Sequence, residues 1–479
     1  MRFSKVLLVF PDCRARLGAI RPPIGLGYIE QALENAGVEC DVVDMAASGS
    51  SSSLRRRLNY FKPDLAGLSL MSTKYKASYD IIGFIKSISP YTYIAVGGQH
   101  VSIFRKKVLE DCQYIDFGVV SEGEDTICQL CGNEEINKIP GLLYRNKTKI
   151  IYNADKDLNP NPDVFAYPLY RKFPLKNYVS GEIGIVTSRG CPGQCIFCSV
   201  PNCVGKHYRP RSVEHVIAEI EYWYSSGYRQ ISICDDNFTF DKERVLDLCS
   251  VIIKQRFKGL EFNCSYGIRA DTVDTEVLLK MKEAGFRYLS FGVESGNDKV
   301  LSRIKKGVSL SRISHSIESA LEADLEVSLF FTIGHPEETP LEFGDSLAFS
   351  RKYQVADAVF HSLIPFPGTE LFDFVDKNNY FTVYPEEYLN SPSVWQGSGR
   401  PVFSTPSFTA EERLKAVKMA DVVRKRISYL WMKRKLRRLG IFSGMLAGLY
   451  VADFAQKILM YSRVRKYLKR IFDSLSQSG

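Results

Sequence analysis

The chain of 479 residues lacks long apolar stretches and has few cysteines for its length. The apolar run near the N terminus is five residues long before Pro11, and no small-residue cleavage site follows it, which predicts that the chain is not exported. The twelve-residue apolar run at 441–452 is too short to span a bilayer. Twelve cysteines are too sparse for a disulfide scaffold, so we expect reduced thiols in a cytoplasmic protein.

Net charge is nearly absent from the first 410 residues. Residues 411–479 hold seventeen Lys and Arg against five Asp and Glu, a net of +12, which leaves −3 for the rest of a chain whose overall charge is +9. The basicity therefore belongs to a tail and characterises no catalytic site. With 45% hydrophobic residues the chain can bury large cores, and its length predicts two or three domains.

Residues 1–135 alternate short apolar runs with helical patterns. The runs predict five buried strands: KVLLVFP (5–11), ECDVVDM (39–45), LAGLSL (65–70), YIAVGG (93–98) and FGVVSEGE (117–124). Strict alternation of strand and helix predicts an α/β domain with a doubly wound, Rossmann-like parallel sheet covered by helices on both faces. No GxGxxG motif follows the first strand, which argues against a dinucleotide site.

The remainder of the chain divides into three segments. Residues 136–180 are rich in Pro, Asn and Asp and show no period, so we interpret them as a linker. Over residues 181–391 six further apolar runs predict a partial (β/α)6 barrel of the TIM type. These runs are IGIVTSRG (183–190), QISICDD (230–236), FNCSYGIRA (262–270), YLSFGVES (288–295), EVSLFFTIG (326–334) and DAVFHSLIP (357–365). Residues 392–479 are predicted to be helical and basic, with Thr409 as an N-cap three residues before Glu412.

Three cysteines directly follow the first predicted barrel strand, in the segment GCPGQCIFCSV (190–200). Cys191, Cys195 and Cys198 lie at the face where a parallel barrel gathers its functional groups. A zinc site would need a fourth ligand, and Cys203 is near, but the spacing is not the usual pair of CxxC hooks. Three thiolates on one loop suit an iron–sulfur cluster with one iron open to another ligand.

CxxxCxxC with Phe197 before the last cysteine resembles the signature of the radical S-adenosylmethionine enzymes. Further motifs follow in that family's order: CDDNFTFD (234–241), GIRAD (267–271), GVESG (292–296), TIGHPEET (332–339) and IPFPGTEL (364–371). The resemblance covers about residues 182–375. It implies that the three cysteines are the metal ligands and catalytic residues of a 4Fe-4S cluster, whose fourth iron is chelated by S-adenosylmethionine.

The resemblance also implies which side chains bind S-adenosylmethionine. Glu294 and Arg269 would meet its polar groups, Asp236 would lie near its amino end, Phe197 beside the adenine, and Gly334 where the backbone approaches the nucleoside. Each residue taken singly has a plain structural interpretation, such as an N-cap or a solvated loop residue. Their recurrence in the family's order favours the functional one.

The N-terminal motifs RPPIGLGYIEQAL (21–33), GLSLMS (67–72), VGGQHVS (96–102) and SEGE (121–124) resemble the cobalamin-binding domain fused in front of many such barrels. This implies that the cofactor's nucleotide tail enters the sheet past Ser69, Gly97 and Gly98. The loop PDCRARLG (11–18) keeps an Asp and a Gly but lacks the histidine that binds cobalt in the methionine-synthase pattern, which favours base-off cobalamin. We interpret His100 as a hydrogen-bonding residue, and a domain that binds no cobalamin is the alternative.

The function that the resemblance implies is methylation of an unactivated carbon in a small-molecule or lipid-like substrate. A 5'-deoxyadenosyl radical would remove the hydrogen, methylcobalamin would supply the methyl group, and a ferredoxin or flavodoxin would supply electrons. The leading alternative is a cobalamin-dependent oxidative cyclase, rearrangement or carbon–carbon coupling enzyme, as in relatives of the anaerobic magnesium-protoporphyrin ester cyclase. A non-catalytic cobalamin- or zinc-binding sensor is a third interpretation.

The basic C-terminal tail leaves two interpretations open. Tyr429, Trp431 and Phe442 with their basic flanks fit a helix lying on the inner surface of an anionic membrane, as a peripheral contact. They equally fit a solvated basic helix packed against the barrel. Nucleic acid is not an expected partner, because no RNA-binding module accompanies the charge.

Overall fold

The computed structural model describes residues 2–11, 21–48, 50–178, 180–391, 400–440 and 442–452. The chain divides into two compact units. The first comprises Met1–Gly181 with Val200–Arg209, and the second comprises Glu182–Ser199 with Pro210–Gly479. The chain therefore enters the second unit at Glu182, returns to the first at Val200 and continues in the second from Pro210.

A seven-stranded sheet in the order β2-β1-β3-β4-β5-β6-β7 forms the first unit. Its strands are β1 (Lys5–Phe10), β2 (Glu39–Asp44), β3 (Leu65–Ser69), β4 (Tyr93–Gly97), β5 (Phe117–Val119), β6 (Leu142–Asn146) and β7 (Lys149–Tyr152). The first five strands pair in parallel, and apolar side chains such as Leu7, Ala66 and Ile94 are fully buried in the core. The predicted doubly wound sheet is thereby confirmed, with the order 2-1-3-4-5.

Helices alternate with these strands. They are α1 (Ile24–Asn35), α2 (Met45–Ser48), α3 (Ser51–Phe61), α4 (Tyr75–Ile88), α5 (Gln99–Phe104), α6 (Lys106–Asp111), α7 (Glu124–Cys131) and, after the excursion into the second unit, α8 (Val200–Cys203). Leu54, Leu58 and Phe61 on α3 show the apolar stripe that packs each such helix on the sheet.

Part of the segment that the sequence assigned to a linker belongs to the first sheet. β6 pairs antiparallel with β5, and β7 pairs antiparallel with β6. The turn between β6 and β7 contains Lys147 at a φ of +54°. Gly, Asn and Asp usually occupy such turn positions, so a lysine there conceals the hairpin from a search for turn residues. The other predicted domain limits stay predictions.

The second unit contains a six-stranded parallel sheet in the order β15-β14-β13-β12-β11-β8. Its strands, with the two-residue strands β9 and β10 that precede β11, are β8 (Ile183–Ile185), β9 (Ser188–Arg189), β10 (Arg209–Pro210), β11 (Gln230–Ile233), β12 (Glu261–Ile268), β13 (Phe286–Glu294), β14 (Glu326–Ile333) and β15 (Asp357–Ser362). Each of the six predicted apolar runs contributes one strand of this sheet. The carboxyl ends of all six strands therefore lie at one edge, where the predicted site residues follow them.

The helices of the second unit connect these strands and extend beyond them. They are α9 (Val213–Ser225), α10 (Lys242–Gln255), α11 (Thr275–Glu283), α12 (Asp298–Arg303), α13 (Leu310–Glu322), α14 (Pro340–Lys352), α15 (Glu370–Lys377), α16 (Pro385–Tyr388), α17 (Ala410–Lys435) and α18 (Phe442–Val451). Thr409 caps α17 in a capping box with Glu412, as the sequence predicted. Among the described residues, no helix combines the length and apolar character that crossing a membrane would need.

Candidate functional site

The three cysteines lie half-buried on the loop that follows β9. Ile196, between the second and third of them, is buried and fixes the loop on both sides. Its N–H donates to the carbonyl of Ile304 at 3.2 Å, and its carbonyl accepts from the N–H of Leu371 at 2.9 Å. The N–H of Cys198 donates to the carbonyl of Cys195 at 3.1 Å, which closes a turn between these two cysteines.

Nitrogen donors surround the sulfur atoms of this loop. The N–H of Gly193 lies 3.4 Å and the amide nitrogen of Asn237 3.8 Å from the Sγ of Cys191. Nη1 of Arg269 lies 4.0 Å from the Sγ of Cys195. Burial raises the pKa of the Cys195 thiol, and the cations of Lys306 and Arg269 oppose that rise. Donors and positive charge beside thiols are the environment that thiolate ligands of an iron–sulfur cluster need, so these residues fit such a cluster.

The cysteine loop is also tightly fitted around a glycine. A Cβ on Gly193 would lie 3.3 Å from the Sγ of Cys191 and 3.4 Å from Nη1 of Arg269, so a larger residue would crowd both groups.

The described residues do not form a site for a single metal ion: among them, no three His, Cys, Asp or Glu side chains are gathered so as to hold one. A cluster makes a different demand, because each of its thiolates binds a different iron.

Arg269 and Glu294, predicted at the ends of two neighbouring strands, are joined by a third residue. Arg269 follows β12, forms a two-bond ion pair with Asp271 at 2.9 and 2.8 Å, and donates to the carbonyl of Lys306 at 2.7 Å. The Nζ of Lys306 in turn donates to Oε1 of Glu294 at 2.9 Å, and both side chains are largely buried. A charged network with both signs therefore lies beside the cysteine loop.

Glu294 is held in an unusual backbone conformation. It ends β13 with a φ of +67°, a region that non-glycine residues rarely occupy. A Cβ on Gly292 would lie 2.9 Å from Oε1 of Glu294 and 3.1 Å from Nζ of Lys306, so the first glycine of GVESG makes room for this ion pair. Strain of this kind is typical of functional sites.

The acidic pair after β11 has two different environments. Asp235 is buried and accepts hydrogen bonds from the N–H and Oγ1 of Thr187 and from Oγ of Ser188, each at 2.6 Å, so it ties strand ends together. Asp236, the predicted binding residue, accepts from the N–H of Gly190 at 3.2 Å, directly before the cysteines. The neighbouring Asn237 is buried, and its Oδ1 has no hydrogen-bond partner among the described residues. An orphaned buried acceptor beside Cys191 fits a polar cofactor group.

Gly334 and Phe197 lie at the same side of the site. Gly334 follows β14 with a φ of +91°. The ring of the next residue, His335, is buried 6.0 Å from the ring of Phe197, which belongs to the cysteine loop. Burial lowers the pKa of His335 to about 4, and the charge of Glu294 opposes that shift. Nε2 of His335 lies 2.6 Å from Oγ1 of Thr332.

In the first unit the predicted small residues lie at the ends of neighbouring strands. Ser69 ends β3 and pairs in register with Gly97, which ends β4. Gly98 has a φ of +96°, and a Cβ there would lie 2.8 Å from the carbonyl oxygen of Leu70. The Oγ of Ser72 is buried without a hydrogen-bond partner among the described residues. In this strand order ligands bind beyond the carboxyl ends of the strands, so the residues fit an inserted nucleotide tail. Asp12 and Gly18 of the first loop lie outside the described residues.

Within the second unit the structure thus brings the cysteine loop together with Phe197, Asp236, Arg269, Glu294 and Gly334. Sequence reasoning missed Lys306 and Asn237. Asn237 stands within the motif CDDNFTFD, so the sequence contained a signal for it. Lys306 lies in the turn after α12, and no motif in that turn marks it as a functional residue.

Known protein families match the chain in the order that its two sheets follow. The B12 binding domain matches residues 12–131, and the Radical SAM superfamily matches residues 185–350. An uncharacterized methyltransferase of Pyrococcus horikoshii is 30% identical over 436 residues, 88% of this chain and 92% of that protein. The cytidylyl-2-hydroxyethylphosphonate methyltransferase of Streptomyces wedmorensis is 28% identical over 477 residues, with 83% and 88% covered. The anaerobic magnesium-protoporphyrin IX monomethyl ester cyclase of Cereibacter sphaeroides is 23% identical over 390 residues, with 77% and 63% covered.

Solved structures share the fold. The radical S-adenosylmethionine methyltransferase TsrM from Kitasatospora setae, with cobalamin and a [4Fe-4S] cluster bound, has a TM-score of 0.69 at 19% identity over 81% of this chain and 80% of that one. OxsB, a cobalamin-dependent S-adenosylmethionine radical enzyme, has a TM-score of 0.72 at 15% identity over 99% and 72%. Since a relative at 30% identity spans most of the chain and both domains match in order, the chain belongs to the cobalamin-dependent radical S-adenosylmethionine methyltransferases, enzymes whose cofactors are a 4Fe-4S cluster, S-adenosylmethionine and cobalamin.

Proposed function

We propose that the chain methylates an unactivated carbon of a small-molecule or lipid-like substrate. The observation that carries this proposal is the buried network of Arg269, Lys306 and Glu294 against the cysteine loop. It offers both signs of charge to a zwitterionic cofactor at a donor-rich thiol site. Support also comes from the relatives, two of which are named methyltransferases.

The residues of this chain would bind and orient the cofactors. When bound, the cluster and S-adenosylmethionine supply a 5'-deoxyadenosyl radical, and cobalamin supplies the methyl group. Cys191, Cys195 and Cys198 would hold the cluster, and the Arg269 guanidinium would keep positive charge beside the Cys195 sulfur. Ser69 and the Gly97–Gly98 pair would admit the cobalamin tail.

The polar groups beside the loop have separate tasks. The carboxylate of Glu294 would accept from the amino group of S-adenosylmethionine, while Lys306 and Arg269 would face its carboxylate. Asp236 would fix the amino end, and the Phe197 ring would lie against the adenine. Buried apolar side chains such as Ile196 help to exclude solvent from the cysteine loop.

The experiment is anaerobic reconstitution of the full chain with iron, sulfide and cobalamin, followed by addition of S-adenosylmethionine and dithionite. Iron, bound corrinoid, 5'-deoxyadenosine and S-adenosylhomocysteine are quantified for the wild type, Cys195→Ala and the control Cys203→Ala. We expect Cys195→Ala to lose iron and both products, because one of three cluster ligands is gone. Cys203→Ala should keep them, because it lies outside the CxxxCxxC triplet.

Three outcomes would contradict the proposal. Equal loss of metal in both variants would indicate a four-cysteine zinc site. A wild-type enzyme that retains no corrinoid would remove the methyl-transfer chemistry. 5'-Deoxyadenosine without S-adenosylhomocysteine would indicate the oxidative or carbon–carbon coupling alternative.

We further propose a ferredoxin or flavodoxin as electron donor and a peripheral membrane contact through the C-terminal helices. The support for the contact is one face of α18, where Phe442, Met445 and Leu449 are exposed, together with the basic end of α17. The basic segment 463–472 lies outside the described residues. Both partners stay predictions.

A further inference from the structure

Buried groups of opposite charge hold the turn after β14 from its two sides. Oε2 of Glu338 accepts from the N–H groups of Gly334 at 2.8 Å and of His335 at 3.0 Å. On the other side, Nη1 of Arg413 donates to the carbonyl oxygen of Gly334 at 2.7 Å. Gly334 has a φ of +91°, which glycine adopts readily, and these hydrogen bonds fix the orientation of the peptide groups on both sides of it.

Arg413 reaches this turn from the first turns of α17 and is enclosed on the way. Its side chain is 3% exposed, its Nε donates to the carbonyl of Phe408 at 2.9 Å, and its Nη2 lies 3.4 Å from Oγ1 of Thr405. The guanidinium carbon lies 4.1 Å from the ring centroid of Phe403 and 5.2 Å from that of Phe408. Burying a guanidinium is costly, and burial lowers the pKa of Arg413 to about 10. The free-energy cost of burying this guanidinium is therefore offset by its hydrogen bonds as well as by packing.

Glycine and arginine form one fitted unit at this point. A Cβ on Gly334 would lie 2.0 Å from Nη1 of Arg413, so the guanidinium fills the space that any larger residue would take. His335, the second residue of this turn, lies beside Phe197, so the turn also contacts the cysteine loop. Arg413 therefore affects the site only through the turn. Of the residues predicted to bind S-adenosylmethionine, it contacts Gly334.

We propose that Arg413 is a positioning residue for S-adenosylmethionine: the C-terminal helix α17 fixes the Gly334 carbonyl and thereby the turn against which the nucleoside packs. The inference rests on the proposed function, which places the nucleoside at Gly334. It extends the cofactor site beyond residues 185–350, the part of the chain that matches the radical S-adenosylmethionine family.

The test compares two arginines of the same helix. Arg413→Met removes the hydrogen bond to the turn but keeps an apolar stem. Arg424→Met is the matched control, because Arg424 forms an ion pair with Asp357 of β15 at 2.9 Å and does not contact the turn. Equilibrium binding of S-adenosylmethionine to the oxidised, reconstituted holoenzyme is measured without reductant, so no turnover occurs. Iron content and Tm are recorded for each variant.

We expect Arg413→Met to bind S-adenosylmethionine about tenfold more weakly at unchanged iron content, since one well-placed hydrogen bond contributes about this factor. Arg424→Met should lower Tm without weakening binding. Arg413→Lys, which keeps one donor and the charge, should recover part of the affinity and guards against misfolding of the methionine variant.

The outcomes separate this inference from the proposed function. Wild-type affinity in both Arg413 variants, or equal weakening in Arg424→Met, would overturn the inference alone. Failure of the iron-loaded wild type to bind S-adenosylmethionine would overturn the proposed function and the inference with it.

Discussion

His100 is a histidine that the first unit keeps neutral. Its ring stacks on Tyr75 with centroids 4.5 Å apart, and Nε2 lies 3.0 Å from the hydroxyl of Tyr79. Burial lowers its pKa to about 3. The structure thus places it as a hydrogen-bonded core residue, which is how the sequence was interpreted.

The lowered pKa predicts a pH dependence of stability. An unfolded histidine takes up a proton near pH 6.5, whereas the folded one does so only near pH 3, so stability is present above pH 6.5 and is lost as pH falls towards 3. Between pH 7 and 5 we expect His100 to cost about 2 kcal/mol of unfolding free energy. His100→Gln should flatten this dependence in denaturant titrations. The exposed His315→Gln is the control and should keep the wild-type slope.

At the scale of single residues, the sequence predicted those side chains that stand in motifs at strand ends. Arg269 and Glu294 were predicted, because they stand in GIRAD and GVESG, two of the motifs that carry the resemblance to the radical S-adenosylmethionine enzymes. Lys306 was not, because it reaches Glu294 from a turn twelve residues later, and only tertiary packing brings the two together. The same holds for Arg413, which lies 79 residues from Gly334 in the chain.

Helix α17 shows how an element is specified by its first turn. Oγ1 of Thr409 accepts from the N–H of Glu412 at 3.3 Å, and Oε2 of Glu412 accepts from the N–H of Thr409 at 2.8 Å. Thr409→Ala should lower Tm by about 2 °C, because the helix loses its N-cap. Thr409→Ser keeps the oxygen and should match the wild type. Calorimetry that finds the two variants alike would contradict this role of the cap.

Strands and helices followed from the sequence where period and length agreed. The eleven apolar runs of the two predicted sheets all became strands, because each is too short for a helix and lacks a period of 3.6. The β6–β7 hairpin escaped, because its turn uses Lys147 in a left-handed conformation that lysine seldom adopts. The hairpin was therefore missed because its turn position with a positive φ is occupied by a lysine and not by one of the residues typical of such turns.

For the whole molecule, the return of the ten-residue segment 200–209 to the first unit is the feature that the sequence did not indicate. Arg209, its last residue, forms a buried two-bond ion pair with Glu122 at 3.2 and 2.6 Å. Nη1 and Nη2 of Arg209 also donate to the carbonyls of Asn159 and Val204, each at 2.9 Å. The pair ties segment 200–209 to the connection between β5 and α7.

Removing one partner of this ion pair should strongly lower the free energy of unfolding. Arg209→Met removes the guanidinium that forms a two-bond ion pair with the buried Glu122 carboxylate, so we expect a loss of about 3 kcal/mol in unfolding free energy. The double variant Arg209→Met with Glu122→Gln should recover part of that loss. Arg171→Met removes a more exposed ion pair with Glu34 in the same unit and should cost less than about 1 kcal/mol. Similar losses in Arg209→Met and Arg171→Met, measured by denaturant unfolding, would argue against the pair's role.

The interleaved path also determines an order of events during synthesis. Residues 1–181 emerge from the ribosome first, but the first unit is complete only when residue 209 has also emerged. By then the first strand of the second sheet and the whole cysteine loop have already been made. Nascent chains should therefore expose three reduced thiols before either compact body has closed, and cluster assembly has a substrate while translation is still in progress.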